Sequence, residues 1–169
     1  TIHEIKDYKS FYISQSNNKN DYRSRNIVSI TIEQNSELVD FYSCHTGWWN
    51  DDIEPFKYQA EKLVENMSSK RLSFVMGDFN NNALVRNEGY DYLINKGLID
   101  TYCIAEEKDL GITVKGEIAG WEAQAEDKRL DLILSNKEIK VKKSNVIFNK
   151  INKQVISDHY GVEVFIENK

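Results

Sequence analysis

Long apolar runs are missing from this sequence: none approaches the ~18–20 residues that cross a bilayer, and no basic, then apolar, then small-residue leader opens it. No membrane association is expected, and the cytoplasm is the expected location. Cysteine is scarce too. Cys44 and Cys103 allow at most one disulfide, and their spacing matches no CxxC redox or zinc motif. One Pro, eight Gly and no low-complexity run argue against linker, collagen-like and repeat architectures. Positive charge is in deficit, with 22 Lys and Arg against 27 Asp and Glu and a formal charge of −5. That balance disfavours a protein that grips a polyanion through many phosphate contacts. What is abundant is apolar side chain: 40% of 169 residues, enough for one domain with a sizeable core. The first residue is Thr1 rather than Met, so a piece of something longer is expected.

Periodicity along the chain gives an α/β order. Thr1 to Asp21 shows no clean period, and its SQSNNKND stretch, Ser14 to Asp21, reads as a surface loop. Asn26 to Glu33 and Glu37 to Thr46 alternate around Gln34-Asn35-Ser36, which predicts a hairpin. Pro55 suits a first helical turn, and Phe56, Ala60, Leu63, Val64 and Met67 then share one helix face. Arg71 to Met76 reads as a buried strand and Tyr90 to Lys96 as a helix ended by Gly97. Cys103 to Asp127, with Gly111, Gly116 and Gly120, reads as a long site-shaping loop. Leu130 to Leu134, Val141 to Phe148 and Val162 to Ile166 return to strands. Lys140, Lys142 and Lys143 around Val141 are expected on a solvated strand face rather than a DNA track.

Four apolar strands end in residues that can bind a metal, move a proton or hold a phosphate: Cys44-His45-Thr46-Gly47, Gly77-Asp78-Phe79-Asn80, Arg129-Leu130-Asp131 and Ser157-Asp158-His159. Each alone is weak, since a lone His after a strand is often a structural residue and Asp and Asn suit ordinary turns. Their shared placement is informative, because ligands gather at strand ends, where a rigid backbone meets solvent.

In chain order the His45 segment, GDFN, an RxD-type strand and SDH resemble the Mg2+-dependent endonuclease/exonuclease/phosphatase superfamily, over roughly Arg25 to Glu167. HTGWW, PFxxQ, Gly97 to Tyr102 and Ala119-Gly120-Trp121 look most like its bacterial sugar-phosphate phosphatase branch, typified by maltose 6'-phosphate phosphatase. The resemblance implies a DNase I-like four-layered α/β/β/α sandwich. It also implies hydrolysis of a phosphoester with Mg2+ as cofactor and Mn2+ as the alternative ion. By the same pattern Asp78, Asn80 and Asp158 hold the metal, with Asp78 also beside the attacking water and Asn80 donating to a phosphate oxygen. His159 contacts the phosphate or activates water, Asp131 fixes its tautomer, and His45 faces the leaving group. Arg25 resembles the family arginine near the phosphate, and it reads equally as a surface charge at a strand start. Trp48, Trp49 and Trp121 are candidates for stacking on a sugar ring or a base, and one of the adjacent pair is expected to pack inward as core.

The sequence departs from the family pattern at its start. The family's opening strand with Asn and its metal-binding Glu have no counterpart among Glu4, Asp7, Asp21, Glu33, Glu37 and Asp40. Residues 1–169 are therefore expected to form a single partial domain, mainly the second half of the sandwich, inactive alone and prone to self-association or to pairing with the missing amino-terminal half. The negative charge and the tryptophans point to a small phosphorylated sugar as substrate. An endo- or exonuclease using the same residues is the alternative enzyme, and a non-catalytic fragment or binding module is the alternative class.

Overall fold

The computed structural model describes residues 2–116, 120 and 126–167. The expected hairpin forms from β2 (Asn26–Gln34) and β3 (Glu37–His45), turned by Asn35 and Ser36 at positive φ. Ahead of them, β1 (Ile5–Tyr12) pairs antiparallel with β2, a strand that periodicity does not reveal. The reason is its place at the sheet margin. Its first six residues are exposed on both faces, so no alternation is imposed on them.

After β3, α1 (Phe56–Asn66) follows Pro55 and buries Phe56, Ala60 and Leu63, the apolar stripe expected of it. Next come β4 (Leu72–Asp78), parallel to β3, and α2 (Gly89–Asn95), with Gly97 at positive φ just beyond it. β5 (Ile99–Asp100), α3 (Thr101–Ile104) and β6 (Glu107–Lys108) are short pieces within a stretch that reads mainly as loop. The final strands are β7 (Asp131–Ser135), β8 (Val141–Ile147) and β9 (Gly161–Ile166). No helix among the described residues is long and apolar enough to cross a membrane.

The large sheet runs β1-β2-β3-β4-β7-β5, and a small one runs β6-β8-β9. Alternation along the strands gives the large sheet two apolar faces. One takes Ile27, Tyr42, Cys44, Val75, Leu132 and Leu134 against Phe56, Leu63, Tyr90 and Leu93 of the helices. The opposite face carries Ile32, Val39 and Phe74, with Phe41 stacked on Phe74 at 5.4 Å. On that side Ile133 of β7, Val146 of β8 and Val162 of β9 line one small internal space, which places the small sheet there. The described layers are thus helices, large sheet and small sheet, the α/β sandwich the resemblance implies. Lys140 and Lys142 pair with Glu106 and Glu167, and Lys143 with Glu107, so these lysines do form a solvated, ion-paired face.

Gly77 has φ +137°, and a Cβ there would lie 2.0 Å from the Cys44 carbonyl oxygen. Its absence lets the last turn of β4 close on β3 next to Asp78. Both cysteines are free thiols, and burial raises the Cys44 thiol far above its usual range, leaving it inert.

Candidate active site

Strand register gathers the polar residues. His45 pairs with Asp78 across β3 and β4, and Asp78 pairs with Asp131 across β4 and β7. Paired residues share a face, so the three form one row over adjacent strands, two positions beyond the row of Ser43, Met76 and Ile133. The face that packs apolar groups inside the sandwich therefore ends in imidazole and carboxylate at the strand ends. His45 Nε2 stands 3.4 Å from Asp78 Oδ2.

His159 arrives from the segment before β9, and its Nδ1 lies 2.8 Å from Asp131 Oδ2. An ionised carboxylate can only accept, so Nδ1 carries the proton. That bond holds the imidazolium above the ordinary histidine value of 6.5, against the opposing effect of burial. Burial likewise pushes the Asp78 carboxyl above the usual carboxylate range; the Asn80 N–H opposes the rise and the charge of Asp131 adds to it. Ligand atoms of Asp78, Asp131 and His159 all lie within 4.8 Å of one another. Two half-buried carboxylates beside a histidine, with one carboxyl resisting ionisation, are a donor set that a hard divalent cation fits.

Shifts of this kind set a pH dependence. In metal-free buffer the stabilisation from His159 is fully present below its unfolded value of 6.5 and is lost as pH rises through the higher folded value. Asp78 acts with the same sign in a lower window, its ionisation costing stability as pH rises through its own raised value. The melting temperature is expected to fall as pH rises past 6.5, and His159→Gln is expected to flatten that part of the profile. A wild-type profile that rises there would contradict this assignment.

The neighbouring loops hold the row in place. Thr46 donates its N–H to the Asp78 carbonyl and its hydroxyl to the Phe79 carbonyl. Asn80, at φ +49°, donates its N–H to Asp78 Oδ1 and its Nδ2 to the Thr46 carbonyl. Any contact of Asn80 with phosphate or metal therefore falls to Oδ1 or to the second Nδ2 hydrogen. Gln59, fully buried on α1, accepts from the Gly47 N–H at 2.8 Å and donates to the Glu54 carbonyl. This is the glutamine of PFxxQ, and its side chain clamps the loop after His45.

Other expected residues sit further out. Asp158 is exposed and accepts from the Ser157 hydroxyl, beside His159 in sequence but outside the converging set. Arg25 lies half-buried just before β2, at the same sheet end as the row, with its backbone N–H donated to Ser14. The adjacent tryptophans divide as expected: Trp48 is 48% exposed, whereas Trp49 packs on Phe56 and Tyr92. Trp121 lies outside the described residues.

Behind the row lies a buried cluster that the motifs at Arg129 to Asp131 and Gly97 to Tyr102 did not lead one to expect. Asp100 accepts from Arg129 at 2.6 Å and from the Tyr90 hydroxyl at 2.9 Å, and the Arg129 guanidinium lies over the Tyr102 ring. Strand position alone does not identify such partners, because Asp100 and Arg129 meet only once β5 has paired with β7.

No protein-family model and no curated protein matches the chain. Solved structures do. An endonuclease/exonuclease/phosphatase family protein from Leptotrichia buccalis C-1013-b is 42% identical over 98% of this chain, with a TM-score of 0.90, and the chain spans 63% of that protein's length. A mannosyl-6-phosphatase from Bacteroides thetaiotaomicron VPI-5482 shares the fold at 19% identity and a TM-score of 0.74, over 98% of this chain and 67% of that one. So does a beta toxin from Staphylococcus aureus with bound magnesium ions, at 14% identity and a TM-score of 0.62, over 83% of this chain and 57% of that one. With its row of His45, Asp78 and Asp131 at the strand ends, the chain has the fold of endonuclease/exonuclease/phosphatase family proteins and is similar to one of them over nearly its whole length.

Proposed function

We propose that this chain carries the polar side of the active site of a Mg2+-dependent phosphoester hydrolase acting on a small sugar phosphate. The observation that supports it is the convergence of Asp78, Asp131, His159 and His45 at one end of the sandwich. Asp78 would hold the ion, with Asp131 within reach and with Asn80 adding an oxygen, whereas Asp158 would have to turn in from outside the converging set to add another. When bound, Mg2+ supplies charge neutralisation on the phosphoryl oxygens and acidifies water. Asp78 would also orient the attacking water and accept its proton. Asp131 fixes His159 as the Nδ1–H tautomer, so Nε2 is the atom presented to the phosphate, and in the protonated form it donates to a phosphoryl oxygen. His45 protonates the departing sugar oxygen. Arg25 is the guanidinium candidate for a second pair of phosphate contacts.

A sugar rather than a polynucleotide is favoured by the charge of −5 and by exposed Trp48, three residues beyond His45, a flat apolar face suited to stacking on a ring. The test is a panel of sugar phosphates and of single- and double-stranded DNA, given to the full-length protein with Mg2+ and with EDTA. Mg2+-dependent phosphate release from sugar phosphates is expected. Turnover of DNA alone would replace this reading with a nuclease, and turnover undiminished by EDTA would overturn the metal. Trp48→Ala is expected to raise KM about ten-fold, the loss of roughly 1–1.5 kcal/mol of stacking, with kcat little changed. An unchanged KM would remove Trp48 from the substrate site.

A further inference from the structure

One residue in the stretch that reads as loop is bonded to both arms of the Asp131 and His159 pair. Thr113 is fully buried. Its hydroxyl oxygen accepts the backbone N–H of Leu130 at 3.1 Å and that of Asp131 at 3.2 Å. Its carbonyl accepts the backbone N–H of Tyr160, the residue after His159, at 2.8 Å. Its own N–H donates to the Lys128 carbonyl, which anchors Thr113 to the chain entering β7.

In a regular strand successive N–H groups point to opposite sides. Two consecutive ones reaching a single oxygen mean that the backbone bends as it enters β7, and that the hydroxyl stands where a neighbouring strand would otherwise supply two acceptors. A hydroxyl has the two lone pairs this needs, and a methyl has none. The Leu130 carbonyl meanwhile accepts the Phe79 N–H, so the same peptide is tied to the residue after Asp78. Asp131 and His159 come from segments 28 residues apart in sequence, and their 2.8 Å bond depends on both segments being held to a common point.

We infer that Thr113 is a positioning residue for the proposed hydrolysis, its hydroxyl setting the Asp131 carboxylate and its carbonyl setting the His159 segment, so that the two meet in the bonded geometry. The inference deepens the reading under Proposed function, and its principal test does not need turnover. Thr113→Val keeps the shape and removes the acceptor, and Thr113→Ser keeps the acceptor. Long-range proton–nitrogen NMR spectra of the imidazoles report the tautomer of neutral His159. Wild type and Thr113→Ser are expected to show Nδ1–H, and Thr113→Val a mixture of tautomers. Val141→Ala, a cavity at the far end of β8, is expected to destabilise the fold while leaving the tautomer as in wild type.

In the full-length protein Thr113→Val is expected to lower kcat about ten- to hundred-fold through misplacement of the pair, with KM within about three-fold and activity restored by Thr113→Ser. Should Thr113→Val fail to fold, amide exchange in wild type and Thr113→Ser serves instead. Protected Leu130 and Asp131 amides in both support the role, and unprotected ones overturn it. A Thr113→Val protein with the wild-type tautomer and wild-type kcat would also overturn it. Absence of hydrolysis in the wild-type protein would defeat the proposed function alone, since the tautomer still decides the role of Thr113.

Discussion

Replacing Asp78 or His159 by Ala in the full-length protein is expected to lower kcat by ~10²–10⁴, the range lost when a group that handles the proton or the developing charge is removed. Asp78 is the centre of the row, within 3.4 Å of His45 and cross-strand partner of Asp131, and its carboxyl is the donor that burial has already made reluctant to ionise without a cation. Asp78→Ala should therefore also weaken Mg2+ binding, measured by calorimetry. His159→Ala should leave metal affinity within a few-fold while removing turnover. Neither change should lower the melting temperature greatly, because both side chains stand at the end of the sheet and not in either apolar layer. Near wild-type turnover in either variant would dismiss the site assignment.

The largest loss of stability is expected from Asp100→Ala. The Arg129 and Asp100 side chains are only 6% and 2% exposed and meet at 2.6 Å, with the guanidinium also over Tyr102 and Tyr90. Removing the carboxylate strands a buried cation and leaves the Tyr90 hydroxyl and the Tyr102 N–H without their acceptor. Breaking a buried pair from one side costs about 3–5 kcal/mol. For a chain of this size that is a fall in melting temperature of about 6–20 °C. Because Arg129 immediately precedes Leu130 and Asp131, the change is also expected to loosen the entry of β7. Replacing both partners with apolar residues of similar volume should recover much of the loss, since no unpaired charge then remains. A single variant melting within 2 °C of wild type would show that the pair carries little of the stability.

The elements that could be read in advance are those whose burial follows a local period. The helix stripe of Phe56, Ala60 and Leu63 and the alternation of β2 and β3 repeat within a few residues, and β4 and β7, legible as short apolar runs, form within one or two residues of their expected bounds. The chemistry at the strand ends was legible because His45, Asp78 and Asp131 lie in short polar motifs that share a place at the ends of apolar segments. Net charge, the lack of a long apolar run and the order of the four motifs were likewise properties of the chain alone. Tertiary structure decided everything that depends on a partner distant in sequence. Exposure on both faces hid β1, and only strand pairing brought Asp100 under Arg129. The placing of Trp48 outside and Trp49 inside depended on where Phe56 and Tyr92 came to rest. Thr113 became a tether because two segments, one entering β7 and one entering β9, converge on it. A residue's local sequence encodes which face it shows, whereas its hydrogen-bond partner is set by the register of strands that meet only when the sheet closes.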